Sequence, residues 1–207
     1  MLDTSALRYP VRKPTGAKLA LKPFHVWGIR VRLQVSQRLR DLALFELALD
    51  SKLRGCDLTR LPVSDLVSST GVKRRVVFMQ QKTGRPVQFE VTEQTRRSIV
   101  GWVQGKRLTF DHWLFPSRIK AGCHLTTRQY ARLVDKWVAL VGLDPAAYGT
   151  HSLRRTKVAL LYKKTGNLRA CQLLLGHTKL EARFAIWAWR STTRWSFRKP
   201  SNCQRSS

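Results

Sequence analysis

Acidic residues are scarce in this sequence: 12 Asp and Glu stand against 39 Lys and Arg, a formal net charge of +27. A field of that sign repels copies of the same chain and draws polyanions. Phosphate backbones are its natural partner. Cysteine is scarce too. Cys56, Cys123, Cys171 and Cys203 stand far apart, with no C-x-x-C pair. That excludes zinc spacing and fits reduced thiols. No cluster of carboxylates suggests a Mg²⁺ site, so neither a metal nor another cofactor is expected, nor a small-molecule substrate. No apolar run approaches the ~20 residues that span a bilayer. Met1 to Lys18 lacks the apolar stretch of a signal peptide. The expected location is therefore cytoplasmic, in association with the nucleoid. Neither a lipidation signal nor a dominant basic amphipathic helix is visible, which weighs against a membrane-surface protein. A ribosomal-type RNA binder stays open on charge alone.

The chain is long enough for one domain. Its 207 residues are 43% hydrophobic, enough for a core and too many for disorder throughout. Residues 1–22 are basic, with Pro10, Pro14 and Gly16, and read as a flexible arm. From His25 to about Leu53 apolar residues recur at helical spacing, as two helices joined near Gln34–Gln37. Val63–Val67, Val76–Met79 and Pro86–Val91 read as strands, the last from its apolar–polar alternation. Between the latter two lies Gln81-Lys82-Thr83-Gly84-Arg85, a polar turn that sets Lys82 at a hairpin tip. Helices are expected over Thr92–Gln104, Thr126–Val141, His151–Lys164 with Gly166 as its stop, and Asn167–Leu175. The fold class is thus mainly α with a small antiparallel β-sheet.

Residues 183–207 break that style. They hold Trp187, Trp189 and Trp195, six cations and no acid, without clean periodicity.

Four short motifs lie in order along the body. Leu53-Arg54-Gly-Cys-Asp57-Leu58 pairs an arginine with an acid three positions on. Lys82 sits on the hairpin turn. Gly149-Thr-His151-Ser-Leu-Arg154-Arg155 holds H-x-x-R, and Leu174-Leu175-Gly176-His177 holds L-G-H. Together they resemble the arginine box, hairpin lysine, H-x-x-R box and L-G-H box of the tyrosine recombinases, the phage-integrase family, over roughly residues 25–182. Any one box is weak evidence; the ordered set is specific. The resemblance implies a catalytic domain at residues 23–182 and a reaction in which a tyrosine attacks a DNA phosphodiester. Arg54 and Arg154 would clamp the phosphoryl oxygens with planar donors. Lys82 would protonate the leaving 5′ oxygen. His151 would manage the nucleophile's proton, and His177 would donate to a non-bridging oxygen. Asp57 would support Arg54 by orienting it. Arg155, Lys157 and Lys179 are candidate contacts to double-stranded DNA, with solvated surface charge as the alternative. The two arginines could also be plain surface cations, Lys82 an exposed turn lysine, His151 a helix cap and His177 a helix end.

The pattern departs from the family in two places. The nucleophilic tyrosine is expected about nine residues after His177, where this chain has Ile186. Its four tyrosines, Tyr9, Tyr130, Tyr148 and Tyr162, all precede that point. The codons of Glu181 to Pro200 permit a one-base-shifted reading, E-S-T-F-R-Y-L-G-V-E-V-D-D-A-L-E-L-S-E-A. That string puts a tyrosine at position 186 and an acidic, amphipathic segment after it. A frameshift that removed the nucleophile segment is the expectation. Family members often carry an N-terminal core-binding domain as well. Only about 24 residues precede the first helix here, which leaves a catalytic-domain-only member or a fragment. The runner-up reading is a non-enzymatic DNA-binding protein that occupies sites, as a homo-oligomer or beside an active recombinase.

Overall fold

The computed structural model describes residues 18–167, apart from the side chain of Lys164. Its centre is a helix buried on every side. Helix α2 (Leu39–Ser51) has each residue from Arg40 to Ser51 buried. A helix enclosed all round belongs in a core, and its charged residues Asp41, Glu46 and Asp50 each have a partner there. Helix α1 (Pro23–Val35), helix α5 (Glu93–Lys106) and helix α7 (Thr150–Thr165) pack around it. Helix α6 (Thr127–Leu140) lies against α1 and α7 and buries Tyr130, Val134, Trp137 and Val138. The Trp137 ring meets Phe45 of α2 edge-on, with centroids 5.6 Å apart. Between these helices run two short ones, α3 (Gly55–Thr59) and α4 (Val63–Leu66), and a 3₁₀ turn at Pro145–Ala147.

Two separate antiparallel pairs form the β structure. Strands β1 (Val67–Ser68) and β2 (Gly71–Val72) make a minimal hairpin. Strands β3 (Arg75–Met79) and β4 (Pro86–Glu90) pair in register from Arg75 opposite Glu90 to Met79 opposite Pro86. Val76 and Phe89, opposite each other, are the buried pair of that ribbon.

The helix boundaries follow their caps. The Thr92 side chain accepts from the Thr95 amide to start α5, and Thr126 and Gln129 form a capping box on α6. Gly166, at φ 63°, ends α7. One expected strand is wrong. Val63–Leu66 is a helical turn, and only Val67 of that run is extended. Val63 and Leu66 are three apart and both buried, a helical spacing within too short a segment to show a period. Asn167–Leu175, beyond its first residue, lies outside the described residues, as does the segment 183–207.

The end of the expected arm is packed. Leu21 is buried, and its amide donates to Thr156 Oγ1 on α7 at 2.9 Å. The Leu19 amide donates to the Ala147 carbonyl, and Lys18 Nζ to that of Ala146. The chain is thus tied to α7 before its first helix begins.

A candidate phosphate-binding site

Four of the described acids lie inside the fold. Asp41, Glu46, Asp50 and Asp57 are all buried. Glu46 accepts from Arg30 at 2.8 Å and from Ser98 at 2.7 Å. Asp50, near the end of α2, accepts from Lys157 on α7 at 2.8 Å with one oxygen. Its other oxygen takes the Thr92 amide and the Thr92 and Thr95 hydroxyls. Burial alone would raise the Asp50 carboxyl, but these donors hold it below the ordinary value. One carboxylate therefore locks α2 to the start of α5 and to α7.

That lock sets the height of α7 beside the chain that leaves α2. Lys52 turns the backbone into the left-handed region, at φ 54° and ψ 19°, and Arg54 follows as the residue that begins α3. Gly55 follows it, and a Cβ there would lie 3.4 Å from the Tyr130 ring, in contact with α6. Arg54 donates to Gln80 Oε1 at 2.8 Å, and Thr83 donates to the same oxygen at 2.9 Å. Asp57 accepts the Gln81 amide at 3.1 Å. Gln80 and Gln81 form the root of the β3–β4 turn, so that turn is pinned to the segment carrying Arg54.

Asp57 does not act as the sequence suggested. Among the described residues no hydrogen bond joins it to Arg54. One of its oxygens holds the hairpin, and the other, Oδ2, is buried with no hydrogen-bond partner there. Its negative charge instead supports Arg154.

His151 and Arg154 stand three positions apart in the first turns of α7, on one side of the helix. Burial lowers the Arg154 pKa, and the positive charge of Arg54 lowers it further, against the opposing pull of Asp57. A guanidinium so placed keeps its charge, so two arginine cations share this site with one nearby carboxylate. His151 is exposed at its edge, yet neighbouring protein atoms withhold enough water to lower its pKa, and Arg155, Arg154 and Arg54 push the same way. Its imidazole is thus biased towards the neutral form, which can accept a proton.

The fold therefore brings Arg54, Asp57, His151 and Arg154 within electrostatic reach of one another. Lys82 is exposed on the turn whose root contacts Arg54 and Asp57. Arg155 donates to the Lys18 carbonyl at 2.6 Å, and Lys157 is the Asp50 partner, so each carries an internal contact as well as its charge. His177, Lys179 and Ile186 lie outside the described residues. Three residues of the site were not singled out from sequence. Gln80 and Asp50 lack a motif, because their roles come from tertiary contacts. Lys52 carried one overlooked signal, its place two residues before Arg54 where the chain turns sharply.

The comparisons with known proteins bear on the family and the fold. The pattern of the Phage integrase family matches residues 30–186. The tyrosine recombinase XerD of Xanthomonas campestris pv. campestris is 28% identical over 193 residues, covering 86% of this chain and 57% of that protein. XerC of Erythrobacter litoralis is 32% identical over 143 residues, covering 68% of this chain and 44% of that protein. The chain thus spans about half the length of these relatives. Among solved structures, XerA recombinase superposes with a TM-score of 0.68 at 18% identity, over 90% of this chain and 66% of that one. XerH bound to a palindromic difH substrate, in a post-cleavage complex, superposes with a TM-score of 0.69 at 18% identity, over 86% and 52%. With its mainly helical fold and the family's pattern over most of its length, the chain belongs to the phage integrase family of tyrosine recombinases.

Proposed function

We propose that this chain binds double-stranded DNA and holds one backbone phosphate for site-specific recombination, but lacks the residue that attacks it. The observation that carries the reading is the pairing of Arg54 with Arg154 across α3 and α7. Two guanidinium groups offer ten N–H donors in planar forks, the geometry suited to phosphoryl oxygens that gain charge in the transition state. In the complete reaction a tyrosine oxygen bonds to phosphorus as the bond to the 5′ oxygen breaks. A 3′-phosphotyrosyl link results, and the leaving oxygen takes up a proton. Lys82 supplies that proton, and the neutral His151 takes the phenol's. His177 donates to a non-bridging oxygen. Rejoining runs the same steps in reverse.

No tyrosine among the described residues suits the attack. Tyr130 is fully enclosed, and burial raises its pKa well above that of a free phenol. Tyr148 is buried and raised in the same direction. Tyr162 is half-buried two turns beyond Arg154 on α7. The segment that should supply the nucleophile reads Phe184-Ala-Ile186-Trp187, and a single lost base in its coding sequence accounts for it. The missing tyrosine favours a second reading, a non-enzymatic DNA-binding protein that occupies recombination sites or modulates an active relative. Duplex-binding and covalent-adduct assays on one preparation separate the two. Salt-sensitive binding with no adduct is the expected result. Absence of binding at low salt would remove both readings, and a preference for structured RNA would replace them.

A further inference from the structure

The sharpest local anomaly is Lys52. It occupies a left-handed backbone position, φ 54°, that glycine adopts without strain and a lysine does not. Lys52 is only 7% exposed, but its ammonium nitrogen is not one of the fully enclosed side-chain atoms without a partner, so its stem is buried while its charged end is open to solvent. The carboxylate that bears on it is Asp50 of its own helix, whose oxygens already accept from Lys157, Thr92 and Thr95. From α7 it faces two further cations, Lys157 and Arg154. Its nearby acid is thus shared with three other donors, while two cations bear on it from α7. An anion that arrives beside Arg154 would bring Lys52 an opposite charge besides that of Asp50.

We propose that Lys52 is a further phosphate-binding residue of the site, donating to the same DNA phosphate as Arg54 and Arg154. The assignment rests on the preceding reading and extends it by one contact. It explains why a strained position holds a lysine: left-handed backbone at residue 52 turns the chain so that Lys52 and Arg54 approach α7 from the same loop. Burial first, then the field of Lys157 and Arg154 against the opposing pull of Asp50, lower the Lys52 pKa to about 8, so an arriving anion would stabilise the ammonium.

The test uses the full chain and a short duplex of mixed sequence. The Lys52→Gly variant suits the backbone and removes the charge. Its melting temperature should equal or exceed that of the unmodified chain, while duplex affinity falls about tenfold, the factor that one charge-assisted hydrogen bond supports. The log–log salt slope should shrink by about 0.9, one phosphate contact. A variant with unchanged affinity and slope overturns the proposal. Should that variant fail to fold, the unmodified chain decides by NMR of ¹³C-labelled lysine. The Lys52 titration midpoint should rise by about one pH unit or more on saturation with duplex, and a midpoint that does not move overturns the assignment. If the unmodified chain shows no salt-dependent binding, the preceding reading fails and this contact with it. If it binds and only Lys52 is silent, this contact alone fails.

Discussion

Arg54 and Arg154 push against each other, while Asp57 pulls the other way on Arg154. Replacing Arg154 with alanine should weaken duplex binding by about tenfold or more, since it removes a fork of donors to phosphate. Equilibrium binding of the folded variant checks this, and a variant that binds as before would contradict the assignment. Lys52 adds a pH signature. Its folded pKa, about 8, lies below the ordinary 10.5, so between those values the unfolded chain holds a proton that the folded chain has released. Stability should consequently rise as pH climbs through that window, and level off above it. Urea midpoints across that range should show the rise in the unmodified chain and lose it in Lys52→Gly.

At the scale of elements, the Asp50 lock matters more than any surface pair. It joins the end of α2 to the cap of α5 and to α7, and so fixes where His151 and Arg154 stand. Asp50→Ala should cost roughly 2–3 kcal/mol, because it strands the buried Thr95 hydroxyl and unpairs Lys157. By contrast Arg75 and Glu90, a cross-strand pair exposed on both sides, should matter little, and Glu90→Gln should not move the urea midpoint measurably. A large loss from Glu90→Gln with none from Asp50→Ala would reverse this ranking. Helices α5, α6 and α7 were legible in the sequence because boundary residues mark them: Thr92, Thr126 and Gly166 lie within a residue or two of the ends found. The β3–β4 hairpin was legible from alternation and a glycine turn. The Val63–Leu66 turn was not, since a helical i, i+3 pair in so few residues looks like a β-prone run. The site was legible only where motifs mark it. Arg54, His151 and Arg154 come from boxes the sequence marks, and their charges bear on one another, whereas the ties from Asp50 and Gln80 depend on distant partners that no local pattern encodes. Asp57 shows the limit: its spacing from Arg54 suggested a direct partner, and the fold gives its hydrogen bond to Gln81 of the hairpin.

For the whole molecule, charge is the governing feature. Four of the ten described acids are buried against two cations, Arg40 and Lys52, which shifts the described surface further towards positive charge. Duplex affinity should fall steeply with salt, with a log–log slope of about −0.9 for each phosphate neutralised; a slope near zero would exclude backbone binding. No helix among the described residues is long and apolar enough to cross a membrane. The central claim is a phosphate site complete in its arginines but without its nucleophile, and one measurement tests it most directly. The chain as it stands, and a variant in which residues 182–207 are replaced by the restored-frame segment, are each incubated with nicked suicide duplexes of randomised core sequence. Denaturing gels then read the covalent protein–DNA adduct. The account predicts no adduct from the chain as it stands, and a 3′-phosphotyrosyl adduct from the restored variant that disappears when Arg154 is replaced by alanine. An adduct formed by the unaltered chain, at whichever residue it maps, would contradict it.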